Sequence, residues 1–455
     1  MKLVYGVKDK PRFPQLIVFA IQQLLAIMAA TLVVPVITNG SANLTGTEAM
    51  DPAAALFGAG VGTLVYLLFT KFKSPVFLGS SFAFLGSMAA AFAGAATVSV
   101  GYLGLIIGAV FAGLVYVVIA IIVKLAGVKW INKLMPAVVI GPTVSIIGLS
   151  LAGNAVGDLK TAPAGGNTLI AVLCGLVTLA VVILCSTFGK KTAKLIPFIL
   201  GILAGYAVAT IFTVIGMAAD IDALKVINFE PLKALVADGV KVTTFFTLPR
   251  FTFLTAFGAF DKLSGAYIAT LAVAYVPVAF VVFAEHIADH KNISSIIEKD
   301  LLEEPGLDRT LLGDGVGSMA GALFGGCPNT TYGESVGCVA ITGNASVVTI
   351  LAAAVGAMII AFLSPFVAFV NSIPSCVMGG VCMALYGFIA VSGLKMIQKV
   401  DLEQNKNLFV VSVILIAGIG GMTLTFGKVT LTSIACALIL GILTNLLVSR
   451  KADEK

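Results

Sequence analysis

Charge is what this sequence has least of. Asp, Glu, Lys and Arg make up 11% of its 455 residues, and it holds only two histidines and one tryptophan. With 59% hydrophobic residues and a mean hydropathy of +1.08, it could not be a water-soluble domain without exposing a large apolar surface. The chain reads as an integral membrane protein. Its seven cysteines lack CxxC spacing and lie in or beside apolar runs, so they read as small packing residues, with no disulfide and no metal expected. No HExxH occurs, and an intramembrane hydrolase, whether of the metal or the serine type, is not expected. Residues 1–13 carry Lys2, Lys8, Lys10 and Arg12 but no apolar core, so no signal peptide is expected and the first span serves as the insertion signal.

What is present is long apolar runs. About 20 such residues carry a helix across the hydrocarbon core, whereas barrel strands would alternate polar and apolar residues. The expected fold class is an all-α polytopic membrane protein with 14 transmembrane segments, at about 14–37, 53–70, 75–93, 100–123, 134–152, 167–187, 195–219, 264–286, 309–326, 328–342, 345–370, 375–393, 408–425 and 429–449. Most Lys and Arg fall in the two tails and after spans 2, 4, 6, 8 and 12, which puts both termini in the cytoplasm by the positive-inside bias. The net charge of +6 follows from that bias, and no nucleic-acid partner is expected.

The largest polar interruption, residues 220–263, separates 1–219 from 264–455, with seven spans in each part. Seven is odd, so equivalent helices would run in opposite directions, as in the inverted repeats of secondary transporters. "MPAVVIGP" (135–142) resembles "IPSCVMGG" (373–380), with Pro136 matching Pro374 and Gly141 matching Gly379. Spans 3 and 10 open on proline and polar clusters, "SPVFLGSSFAFLGS" (74–87) and "CPNTTYGES" (327–335). Irregular backbone survives at membrane depth only where protein or a water-filled cavity covers it. Two such segments in corresponding places point to a midplane binding site. Close helix packing is the blander reading of the 48 glycines, but it does not account for Asn329 or Glu334.

Three acidic residues do not fit solvated loops: Glu285, Asp314 and Glu334. Glu285 follows the apolar run 265–284 in "FAEHIADHKN", where a carboxylate costs at least ~2.5 kcal/mol at the bilayer centre. It calls for a cavity, a partner or a proton; the alternative is a helix-end carboxylate reaching the interface. Glu285 and Asp289 share one helical face, and His286 points about 100° away, so the ligands for zinc do not converge. His290, next to Lys291, is expected to meet water or headgroups. A sheltered carboxylate that changes protonation as a cavity opens to alternate sides is a natural proton carrier. Two of them would accept hydrogen bonds from a neutral heterocycle with two N–H donors.

"FLGSSFAFL" (77–85), "AEHIADH" (284–290), "GDGVGSMAGALFGG" (313–326), "PNTTYGESVGCVAIT" (328–342) and "IPSCVMGGV" (373–381) together resemble the nucleobase-ascorbate transporter (nucleobase/cation symporter) family, its uracil permeases above all. The resemblance implies a core domain of spans 1–4 and 8–11 (about 14–123 and 264–370), a gate domain of spans 5–7 and 12–14 (about 134–219 and 375–449), and short paired strands in spans 3 and 10. It implies a symporter, not an enzyme, with no cofactor, that carries uracil inward with a proton as core moves against gate. Carried over by motif, Glu285 and Glu334 would bond the pyrimidine ring, backbone groups of Phe82 and Gly333 would complete the contact, and Ser81 and Tyr332 would lie beside it. Glu285, Asp289 and Gln23 are the expected proton-coupling residues. The chain departs from well-known relatives in having Asp289 for a histidine and Gln22-Gln23 for "QH". Asp314 reads as a partner for neighbouring donors. A purine or xanthine permease of the same fold is the alternative, and Glu334-Ser335 in place of glutamine and asparagine favours a pyrimidine. An anion carrier on a related fold would want a cation at the site. The family also implies a bacterial inner membrane and a homodimer through gate helices.

Overall fold

In lipid, backbone polar groups must be satisfied within the protein, so apolar runs fold as helices. The computed structural model describes residues 3–127, 136–190, 193–194, 196–237, 239–426 and 429–450. The first half runs α1 (Phe13–Ser41), α2 (Pro52–Phe69), β1 (Leu78–Ser80), α3 (Leu85–Ala93), α4 (Val98–Ala126), α5 (Ala137–Ser150), α6 (Ala152–Leu159), α7 (Thr168–Phe188) and α8 (Pro197–Ala219). Short helices follow. The second half runs α9 (Gly265–Ile297), α10 (Leu307–Gly325), β2 (Asn329–Thr331), α11 (Gly333–Thr342), α12 (Val347–Ile360), α13 (Ser364–Ser372), α14 (Ser375–Ile397), α15 (Asn405–Ile419), a hairpin of β3 (Leu424–Phe426) and β4 (Val429–Leu431), and α16 (Ser433–Arg450). Among the described residues, eight helical stretches are long and apolar enough to cross a membrane, and shorter apolar helices accompany them. The protein is a helical polytopic membrane protein.

Helix starts follow local chemistry. Asp51 accepts from Ala53 N and Pro52 takes the first position of α2, while Asn167 caps α7 and Ser264 caps α9; each supplies an oxygen to an N–H that has no intrahelical acceptor. The structure differs from the expected spans in two places. Helix α9 continues to Ile297, well past 286, because the polar residues of "EHIADH" find partners inside the protein. The hairpin β3–β4 occupies the junction where spans 13 and 14 were expected to meet. Met135, Lys129, Lys133, Lys191 and the C-terminal tail from 451 lie outside the described residues.

The strands expected in spans 3 and 10 are present and pair antiparallel, Leu78 with Thr331, Gly79 with Thr330 and Ser80 with Asn329. Tyr332 N donates to Phe77 O and Ser81 N to Pro328 O, so these short strands satisfy much of each other's backbone in the interior. Helices α2 and α10 pack the most extensively of all pairs, followed by α5 and α14. Glycine permits the first. A Cβ on Gly58 would lie 2.4 Å from Gly321 O, and one on Gly62 would lie 2.4 Å from Asn329 Nδ2. Asn329 Nδ2 donates to Gly58 O at 3.1 Å, which locks β2 to the same seam.

Candidate functional site

Each strand hands over to a helix that starts in the interior. Ser81 precedes the 3₁₀ turn Phe82–Phe84 that leads into α3, and Tyr332 precedes α11. The first N–H groups of such helices have no intrahelical acceptor, and here they border a cavity of about 420 Å³, within the range of about 300–1,000 Å³ usual for small-ligand sites.

The cavity has two unlike walls. One carries Ser81, Phe82, Glu285, Asp289, Thr330, Thr331, Tyr332, Gly333 and Glu334 from the strand crossing, α9 and α11. The other is largely apolar and comes from α5, α8 and α14, with Val144, Phe198, Leu385, Phe388 and Ile389. Phe82 meets Tyr386 across the gap, edge to face, with ring centroids 6.1 Å apart.

Glu285, Glu334, Phe82, Gly333, Tyr332, Ser81 and Asp289 all lie on this one cavity. Glu285 sits well inside α9 rather than at a helix end. Asp289 Oδ2 accepts from Thr331 Oγ1 at 2.8 Å, a bond that ties α9 to β2. Tyr332 is anchored by its hydroxyl, which donates to Ser80 O at 2.7 Å, and its ring covers Gly79, where a Cβ would come within 2.4 Å of it. Gln23 is not on the lining. It is 2% exposed and its amide donates to Ser335 Oγ, which also accepts from Phe77 N at 3.1 Å. The sequence reading missed Thr331 and Ser335 as supports, although both lie in the polar run that drew attention to the segment.

His290 corrects an expectation. It is fully buried, with Nδ1 2.8 Å from His286 O and Nε2 2.7 Å from the Tyr66 hydroxyl, because Tyr66 of α2 and the stacked His286 ring cover this part of the extended α9. His286 turns away from the cavity and meets Asp314. Residues 333–337, "GESVG", spell the GxSxG of a hydrolase nucleophile turn. Ser335 is buried and already bonded by Gln23 and the Phe77 amide, with no histidine at its hydroxyl among the described residues, so the match carries no chemistry. Among the described residues no His, Cys, Asp and Glu group could hold a metal ion.

Comparison with known proteins agrees with this architecture. Residues 14–427 match the model of the xanthine/uracil permeases, described as a permease family. The chain is 38% identical to the uracil permease of Bacillus caldolyticus, over 98% of this chain and 95% of that one. It is 37% identical to the uracil permease of Bacillus subtilis (strain 168), over 100% and 97%, and 34% identical to that of Escherichia coli (strain K12), over 96% and 92%. In fold it is similar to the transmembrane domain of the cyanobacterial bicarbonate transporter BicA (TM-score 0.59, 14% identity, 97% of this chain and 100% of that one). It is also similar to the murine anion transporter Slc26a9 in its inward-facing state (TM-score 0.63, 11% identity, 98% and 69%). A match over nearly the whole chain and relatives this close make the protein a transporter rather than an enzyme, and the chain belongs to the xanthine/uracil permease family.

Proposed function

We propose that the chain is a proton-coupled symporter that carries a nucleobase, uracil, into the cell by alternating access. The observation that carries this reading is the convergence of Glu285, Asp289 and Glu334 with two helix starts on one cavity. An ionised carboxylate only accepts hydrogen bonds, so Glu285 and Glu334 call for a ligand with N–H donors. The backbone N–H groups at Phe82 and Gly333 call for carbonyl acceptors. A neutral ring that alternates two N–H with two C=O groups meets both demands, and uracil is such a ring. Glu334 reads the ring, Glu285 carries the coupling proton, Asp289 belongs to its route, Gln23 acts from behind the wall by holding Ser335, and Ser81 and Tyr332 complete the pocket. The names of the relatives support a pyrimidine substrate. An anion, suggested by the names of the structural neighbours, fits poorly: the lining holds three carboxylates and, among the described residues, no Lys or Arg.

The same reading gives fourteen spans in two inverted repeats, 1–219 and 264–455, with core at about 14–123 and 264–370 and gate at about 134–219 and 375–449. It is supported by self-pairing. Helix α2 packs on α10, β1 pairs with β2 and α5 packs on α14, and each of these pairs joins an element to its counterpart in the other half. Pro136 and Pro374 stand at the same N-terminal position of α5 and α14. A polar wall from the core facing an apolar wall from the gate is suited to sliding. The setting proposed is a bacterial inner membrane, with a homodimer through gate helices.

The test is uptake and binding in reconstituted vesicles. Glu334→Gln is expected to abolish uracil binding, and Glu285→Gln to leave binding measurable while uptake no longer follows a pH gradient. Proton-driven uracil uptake surviving in both variants rejects the assignment, and displacement of labelled uracil by xanthine at equal concentration rejects the pyrimidine preference.

A further inference from the structure

On the face of α9 turned away from the cavity lies a cluster that the transport reading leaves unused. His286 and Asp314 are both fully buried, with His286 Nδ1 2.7 Å from Asp314 Oδ2. His286 Nε2 lies 3.0 Å from Thr310 Oγ1. The single hydroxyl proton of Thr310 goes to Leu307 O at 3.1 Å, so toward the ring this hydroxyl accepts and Nε2 carries a proton. That leaves two arrangements at Nδ1: it donates to a carboxylate, or it accepts from a carboxylic acid. In each, one proton lies between the two side chains and the pair is neutral. A ring and a carboxylate with no proton between them would set lone pair against lone pair.

His290 fits the same accounting. Its Nδ1 donates to His286 O, and its Nε2 joins a chain through the Tyr66 hydroxyl to Ser74 Oγ, 2.6 Å further on. The two imidazoles stack with centroids 4.0 Å apart, where two positive charges would repel, so at most one ring is charged. The groups around the pair are Glu285, Asp289 and His290 on α9, Tyr66 from α2, Tyr116 from α4, Thr310 from α10 and, beyond Glu285, Glu334 from α11. Among the described residues no lysine or arginine pairs with Asp314, and its Oδ1 is buried without a partner, as is the Tyr116 hydroxyl.

We propose that His286 and Asp314 form a sealed dyad sharing one proton, which fixes the rotation of α9 on α10 and so positions Glu285 and Asp289, while keeping Asp314 from adding negative charge behind the cavity. Both are positioning residues. Among the described residues no direct hydrogen bond joins His286 or Asp314 to a side chain of the cavity wall, and on this proposal the dyad keeps its proton through the transport cycle.

His286→Leu strips Asp314 of its partner. The expected result is a loss of apparent uracil affinity of about tenfold or more, as when one member of a buried charged pair is removed, together with a shifted pH profile of uptake. His286→Leu/Asp314→Leu removes the stranded carboxyl and is expected to restore the wild-type profile, since apolar replacements of both partners are tolerated. Loss of uptake at every pH with an unmoved profile, not relieved in the double variant, overturns the proposal. A second readout needs no transport and separates this inference from the uracil reading on which its first test rests. Infrared spectra of the purified protein should contain one signal of the shared proton, from a carboxylic acid or an imidazolium, that is displaced to that of an isolated carboxylic acid in His286→Leu, is lost in Asp314→Asn and is insensitive to external pH in the wild type. A signal that titrates with the medium, or none at all, overturns the dyad. An intact signal in a protein that does not move uracil overturns the substrate assignment alone.

Discussion

At the scale of single residues, the cavity depends on bonds that hold its lining side chains in place. Thr331 gives Asp289 its one hydrogen-bond donor among the described residues, and Tyr332 is held by Ser80 O over a glycine that cannot carry a side chain. Thr331→Val keeps the shape and deletes the donor. A hydrogen bond to a charged group is worth about 1.5–3 kcal/mol, so half-saturating uptake should require roughly tenfold more substrate and the melting temperature should fall by a few degrees; an unchanged half-saturation would remove Asp289 from the working part of the site. Much of this was legible in the sequence. The carboxylates Glu285, Asp289 and Glu334 stand out because a charge inside an apolar run needs a physical excuse. Gln23 and His290 did not, since neither composition nor spacing says which polar side chain faces a cavity and which is satisfied by a partner far along the chain, as Gln23 is by Ser335 and His290 by Tyr66.

At the scale of elements, the seam between α2 and α10 carries the strand crossing. Its glycines bring backbone against backbone, and Asn329 threads its amide between them to Gly58 O. Gly62→Ala would push a methyl into Asn329 Nδ2 and Gly317 O. Overpacking of this kind costs about 1–3 kcal/mol, and a melting temperature several degrees lower is expected, with weaker uracil binding because β2 must shift. Gly387→Ala, also in a helix but with no atom within 4 Å of the added methyl, is the control and should melt as the wild type does. Equal behaviour of the two variants would mean that the seam yields freely and does not set the site. Span positions could be read from the sequence because a helix crossing lipid must be apolar for about 20 residues. The ends of α9 and the β3–β4 hairpin could not, because a buried polar face looks like a loop until its partners are known, and short strands leave almost no pattern.

At the scale of the whole molecule, contacts between connections group the loops into two sets. The N-terminal tail runs along 343–347, with Val4 N bonded to Gly343 O and Ala345 N to Tyr5 O. Lys73 Nζ, after α2, lies 2.6 Å from Glu304 Oε1, before α10, and holds that exposed carboxyl below its ordinary range. In the second set Arg250 N donates to Asp51 Oδ2, Arg250 Nη1 donates to Gly46 O, and Phe246 bridges to Leu363. Counted along fourteen alternating spans from a cytoplasmic N-terminus, every loop in the first set falls inside and every loop in the second outside. A span count wrong by one within the second half would bring together connections from opposite sides of the bilayer. Single cysteines read this out in right-side-out vesicles treated with an impermeant maleimide. Asp261→Cys should label at once, whereas Gly6→Cys and Glu403→Cys should label only after permeabilisation. Immediate labelling of Glu403→Cys would break the even count between α1 and α15 and with it the inverted repeat, since two halves of seven spans must leave residue 403 on the same side as residue 6.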